Sequence, residues 1–119
     1  MATAEVKPKS YAFALEVVHA VRALQGHKEF VLSSQLLRAG TSIGANIEEA
    51  NAAQSKREFI AKMSIASKEA RETDYWIRLL RDAGYLAQPT AGDLAERCHE
   101  LIRMLTAIVK TSQATNKRH

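Results

Sequence analysis

Between Phe59 and Leu80, apolar or small residues alternate at spacings of four and three: Phe59, Met63, Ala66, Ala70, Thr73, Ile77 and Leu80. A 3.5-residue repeat held for three heptads keeps one seam on one side of a helix and packs it at a shallow angle against its neighbours. A second stripe runs beside it through Ile65, Glu69, Glu72, Trp76 and Leu79. This helix therefore needs partners on more than one side, and no strand or isolated hairpin satisfies that pattern. Ser55-Lys56-Arg57-Glu58 has the form of a capping box, with the Ser hydroxyl accepting from the N3 amide and the Glu reaching back to the Ser N–H. The helix is expected over 56–83, stopped by Gly84, with Asp74–Arg78 and Glu58–Lys62 as i,i+4 pairs in the favourable order.

Three further amphipathic segments surround it. Phe13, Val17, Ala20 and Leu24 repeat at 4, 3 and 4, which predicts a helix over 10–25 with Ser10 as N-cap and Gly26 as the left-handed residue after its end. Leu32, Leu36, Ile43, Ile47 and Ala50 mark a second helix over 29–52. Its middle holds Ala39, Gly40, Gly44 and Ala45, and each glycine costs about 1 kcal/mol relative to Ala. Close approach of a neighbouring helix backbone would offset that cost; a kink or break near Gly40 is the alternative. Leu94, Cys98, Leu101, Leu105 and Ile108 define a last helix over 91–110, with Thr90 as its cap and Asp93 at N3. Residues 1–9 read as a flexible leader and 111–119 as a flexible, fraying tail. Four such helices joined by short connections give an all-α fold, an antiparallel up-down-up-down four-helix bundle, left-handed because of the heptad spacing.

Charge sharpens the functional reading. The 119 residues carry a net charge of +4. Lys7, Lys9, Lys110, Lys117 and Arg118 against Glu5 supply all of it, so residues 10–109 are neutral with 12 basic and 12 acidic residues. A basic stripe on a folded face is the usual footprint of a nucleic-acid binder; here the excess falls in the terminal segments. One cysteine, Cys98, excludes an internal disulfide and suits a reducing cytoplasm. No apolar run approaches the ~18 residues of a membrane span.

The central polar residues form a constellation. Arg38, Ser42, Asn46 and Glu49 follow at 4, 4 and 3 on the second helix; Lys62, Glu69, Glu72 and Trp76 share a face of the third. An antiparallel hairpin turning near residue 54 sets Arg38 opposite Glu69 or Glu72, and Glu49 near Lys62. Arg suits forked contacts with carboxylates. Such a network fixes register or subunit choice; a functional polar site and plain solvated faces are the other readings. Metal chemistry of the di-iron type would need Glu-x-x-His on two helices, which this chain lacks. His19, His27, His99 and His119 lie on separate segments. The serines have no nearby His or strained turn to activate them, so no catalytic, metal-binding or cofactor-binding residues are assigned.

Arg38-Ala39, Thr41-Ser42-Ile43-Gly44-Ala45-Asn46-Ile47, Glu49-Ala50, Ser55, Phe59, Lys62, Ile65-Ala66, Lys68-Glu69, Glu72-Thr73 and Tyr75-Trp76 carry a resemblance as well. This stretch resembles the bacterial four-helix-bundle family of 23S rRNA intervening-sequence proteins, also called S23. The resemblance implies a small cytoplasmic bundle that assembles as a homopentameric ring, and it brings no catalytic residues to transfer. The resulting expectation is a non-enzymatic assembly or adaptor protein that binds itself and a protein partner the residues do not specify. The alternative is an RNA- or DNA-binding accessory ring that uses its basic tails, multiplied by assembly.

Overall fold

The computed structural model describes residues 2–117. Its elements are α1 (Ala2–Gly26), α2 (Val31–Asn51), α3 (Lys56–Asp82) and α4 (Thr90–Lys117). They form a four-helix bundle 52 Å long and about 20 Å across (21 × 19 Å). Each helix packs on the next, and α1 closes on α4. Cross-helix contacts fix the directions. Val17 lies at Gly40 and Ser10 at Gly44, so α1 and α2 run oppositely. Glu49 meets Lys62 while Arg38 meets Glu69, which reverses α3 relative to α2. Asp74 meets His99 while Arg71 meets Thr106, which does the same for α4.

The heptad seam is the core. Met63, Ala66, Ala70, Thr73, Ile77 and Leu80 are buried, facing Leu36, Ile43 and Ile47 of α2, Phe13 and Val17 of α1, and Leu101 and Leu105 of α4. Phe59 packs at its margin, half-buried. Three buried hydroxyls are satisfied by carbonyls three or four residues earlier: Ser10 Oγ donates to Lys7 O at 2.8 Å, Ser33 to Glu29 O at 2.7 Å and Thr73 to Glu69 O at 2.6 Å. These local bonds let polar atoms enter the core without an unmet donor.

Helix α2 is continuous through its glycines. A Cβ on Gly40 would stand 2.9 Å from both methyls of the buried Val17, and one on Gly44 would meet Ser10, backbone included, at 3.4 to 3.8 Å. The cost of two mid-helix glycines is thus offset by the close seating of α1. At Gly40 the neighbour is a side chain and not the expected backbone.

The termini correct the sequence reading. The expected leader at 1–9 is the beginning of α1 from Ala2, and Val6 is fully buried. Val6, Ser10, Phe13, Val17, Ala20 and Leu24 form one unbroken 4-3-4-3-4 stripe, which Pro8 disguised. Proline costs a helix the amide at its own position and a clash with the carbonyl four residues back. Here it falls early in α1, where little helix precedes it. At the other end α4 continues to Lys117 and buries Ser112 on the line of Leu101, Leu105 and Ile108. Residues 111–117 of the expected tail are therefore helical; Arg118 and His119 lie outside the described residues.

The caps also differ from expectation. Ser10 is interior to α1. Its C-terminus is a Schellman turn in which Glu29 N–H reaches Leu24 O and Lys28 N–H reaches Gln25 O. The left-handed residue is Lys28 (φ 66°), two positions after Gly26. Gly84 (φ 88°) does end α3 in the same motif. Glu29, expected as the first residue of the second helix, lies before α2 and caps it by accepting from the amides of Leu32 and Ser33. Ser55 caps α3 through Glu58 N at 3.0 Å, while the Glu58 carboxylate accepts from Gln54 N, one residue beyond the expected Ser55. Thr90 is helical; the Gln88 side chain caps α4 through Gly92 N at 2.8 Å.

Candidate functional site

The polar residues of α2 and α3 gather on the outer side of their shared seam. Arg38 Nη1 donates to Glu69 Oε2 at 3.3 Å, and Nη2 pairs with Glu72 Oε2. Glu72 Oε2 also accepts from the Trp76 indole N–H at 2.9 Å. The Trp76 and Arg38 hydrogen bonds together hold the Glu72 carboxyl below its ordinary value. Gln35 Oε1 accepts from Arg38 Nε at 3.3 Å and so completes the cluster. Gln35 was not singled out in the sequence, although its position three residues before Arg38 places both on one helix face.

Nearer the connection, Lys62 Nζ donates to Glu49 Oε1 at 2.7 Å. That hydrogen bond, with the carboxylate's charge, raises the Lys62 ammonium above its usual range. The expected Glu58–Lys62 pair is not formed, because Glu58 is engaged at the helix cap. Ser42 and Asn46 do not bridge the two clusters. Ser42 Oγ donates to Arg38 O at 2.6 Å and Asn46 Nδ2 to Ser42 O at 2.9 Å, both back to their own helix. Eight selected residues thus divide into an Arg38–Glu69–Glu72–Trp76 cluster, a Glu49–Lys62 pair and two side chains turned on their own backbone.

Exposure tells what this network can do. The Arg38 side chain is 49% exposed and Glu72 36%, so these ions remain hydrated and contribute orientation more than stability. Around them stand uncovered apolar side chains: Val31 at 73%, Ile65 at 41% and Leu79 at 36%. Tyr75 packs edge-on to Trp76, with ring centroids 5.0 Å apart.

The opposite side of α3 was less legible. Cys98 Sγ donates to Ala70 O at 3.2 Å inside the core. Burial pushes this thiol up to about 12, so it stays protonated and unreactive at neutral pH. Its neighbour His99 points outward to Asp74 at 2.8 Å, and Asp74 also takes the expected Arg78 at 3.1 Å. Among the described residues, no three His, Cys, Asp or Glu side chains are arranged to hold a metal ion. An open groove of about 510 Å³ separates α1 from α4 and is bridged by Lys9 and Glu100 at 2.7 Å. Among the described residues no helix is long and apolar enough to cross a membrane.

Comparison with known proteins agrees with this architecture. A family model described as 23S rRNA-intervening sequence protein matches residues 2–107. A solved crystal structure of a protein with unknown function, from the S23 ribosomal protein family of Bacteroides thetaiotaomicron VPI-5482, is 44% identical to this chain. The two superpose with a TM-score of 0.89 over 92% of this chain and 99% of that one. No curated protein matches.

Proposed function

We propose, from the premise that this chain belongs to the 23S rRNA-intervening sequence protein family, that it is a non-enzymatic protein whose bundle joins copies of itself into a cytoplasmic ring. The observation that carries this reading is the outer face of α2–α3. There Val31, Ile65 and Leu79 stay exposed around an Arg38 guanidinium already oriented by two carboxylates. Covering such side chains gains roughly 25 cal/mol per Å² of apolar surface, while the fixed ions decide which surface fits. The family resemblance supports five copies. The helices of a ring would present repeated faces on which a second protein can be held, which is the adaptor role.

The chemistry of the side chains supports a role without catalysis. Ser10, Ser33, Ser34 and Ser42 donate to carbonyls of their own helices or caps, and Cys98 is buried and protonated. A nucleophile needs a base within reach to activate it. The single free thiol supports the cytoplasm as location, because a reducing compartment keeps such thiols unpaired.

Size-exclusion chromatography with light scattering tests the assembly. The expected species has about five times the 13.2 kDa chain mass. The double substitution Ile65→Glu/Leu79→Glu should reduce it to smaller species without loss of helicity. A wild-type chain that runs as a monomer at micromolar concentration removes the proposal.

A further inference from the structure

The helical C-terminus changes where positive charge sits. From Lys56 to Arg71 on α3 and from Arg103 to Thr115 on α4, the chain carries seven basic residues and two acidic ones. Both acids are engaged elsewhere: Glu58 with the Gln54 amide, Glu69 with Arg38. The other half of the same hairpin, 72–82 and 90–102, has three basic residues and six acidic ones. The neutral body read from composition is therefore neutral only in sum, and its charges are separated along the α3–α4 hairpin.

Contacts bring the unspent cations together. Arg71 Nη2 donates to Thr106 Oγ1 at 3.2 Å across the seam. Lys68 lies one turn before Arg71, and Arg103 and Lys110 lie one turn to either side of Thr106. All four are exposed, and among the described residues none forms an ion pair. Arg103 also borders the groove between α1 and α4, where Glu100 is held by Lys9 at 2.7 Å. Along α3 the outward row Arg57, Ala61, Ser64, Lys68, Arg71 and Tyr75 keeps the 4-3-4-3-4 spacing of a single face. At 1.5 Å per residue it runs roughly 27 Å. Tyr75 ends it, 48% exposed, with its ring fixed edge-on by Trp76 and the Arg78 guanidinium 5.9 Å from its centroid.

We propose that this α3–α4 face binds single-stranded nucleic acid, with Lys68, Arg71, Arg103 and Lys110 on the phosphates and Tyr75 as a stacking surface for a base. Lys68 and Arg71 stand roughly 5 Å apart along α3 and Arg103 and Lys110 roughly 10 Å apart along α4, too far for one phosphate to reach all four and suited to a chain of phosphates. Cationic grooves that track a backbone, with aromatic rings on which bases stack, are how single strands are held without sequence readout. The face adjoins the α2–α3 surface assigned to self-assembly, because Tyr75 packs on Trp76, and assembly is therefore measured beside binding for each variant.

The test is fluorescence anisotropy of the full chain with a labelled oligouridylate long enough to span the row, over a series of salt concentrations. Lys68→Gln/Arg71→Gln/Lys110→Gln should weaken binding about tenfold or more at low salt, and lower the slope of log affinity against log salt by about 2. The charge-matched control Arg22→Gln/Lys28→Gln/Arg97→Gln should stay within about twofold of wild type. Tyr75→Ala should cost about tenfold by itself, a loss a purely ionic surface would not show. Circular dichroism and light scattering on each variant separate lost binding from lost folding or assembly. No binding by wild type at low salt overturns the proposal, as does an equal loss in both triple variants. Unchanged binding by Tyr75→Ala, together with displacement of the oligonucleotide by inorganic polyphosphate as readily as by unlabelled oligouridylate, overturns the assignment to nucleic acid. Loss of the ring with oligonucleotide binding retained would break only the self-assembly reading.

Discussion

Helix α3 settles charge in opposite ways on its two flanks. Toward α2, each basic group at the seam meets a carboxylate: Arg38 meets Glu69 and Glu72, and Lys62 meets Glu49. Toward α4, cross-helix contacts are a thiol to a carbonyl, a guanidinium to a hydroxyl and one His–Asp pair, and several cations are left over. One helix therefore serves three purposes on three faces. Its inner face is packed, its α2 flank is matched in register by ion pairs, and its α4 flank keeps a charge surplus over half its length. The lesson is that a shared core and a shared helix do not impose a shared surface chemistry, because the residues outside the heptad seam contribute little to stability and are free to specialise.

The core under both flanks should respond most. Ile77 is fully buried in the seam that α2 and α4 share. Ile77→Ala is expected to cost about 2–5 kcal/mol, from lost transfer free energy and the cavity left behind. Urea unfolding followed by circular dichroism should show one cooperative transition moved to lower denaturant. Two transitions, with one hairpin surviving, would mean that the flanks are energetically independent and that the seam does not unite them.

Which features were legible follows from what each depends on. The seam of α3 was readable because period and burial are properties of sequence spacing. Arg38 against Glu69 and Glu72 was readable too, because an antiparallel hairpin turning near residue 54 fixes which residues face each other. The α4 flank was not, because Arg71–Thr106 and Asp74–His99 depend on the register of a second hairpin whose turn holds a proline and no simple count. The charge segregation was hidden for a related reason. Lys110 read as the last residue of the helix, its charge counted with the tail, until α4 proved to continue past it, and Pro8 concealed the buried Val6 in a similar way. Ser42 and Asn46 were misjudged because a helix face does not say whether a short polar side chain reaches across or bonds back to the carbonyl four residues earlier.

Single guanidinium deletions should separate the flanks. Arg38→Ala leaves Glu69 and Glu72 close together without a cation, and is expected to cost about 0.5–1 kcal/mol, a modest figure because the pair is half-exposed. Arg71→Ala loses one exposed hydrogen bond and should stay within about 0.5 kcal/mol of wild type. Urea midpoints of the two variants measured side by side check the ordering. An Arg71→Ala variant less stable than Arg38→Ala would show that the α4 flank, and not the α2 flank, is held by its polar contacts.

Acid and base should then weaken the two flanks in turn. Glu72 is held below its ordinary value of 4.5, first by the Trp76 indole and then by Arg38. A carboxylate lowered by folding contributes stability that is complete above the unfolded value and is lost as pH falls through the folded one. The α2 flank should therefore loosen below about pH 4.5. Cys98 on the α4 flank is raised from 9.0 to about 12, chiefly by burial. The folded state keeps this thiol protonated while the unfolded chain loses its proton, so stability should decline as pH rises from 9.0 toward about 12. Lys62 enters only above 10.5, where its raised value means that its contribution persists and then disappears as pH climbs through the folded value. Trp76→Phe, which removes the indole donor and keeps a ring, should flatten the acid limb of stability against pH. Cys98→Ala should flatten the alkaline limb between 9.0 and 10.5 and leave the acid limb unchanged. Urea midpoints across this range decide it. An acid limb untouched by Trp76→Phe would assign the proton uptake to other carboxylates and remove Glu72 as the group that ties α3 to α2.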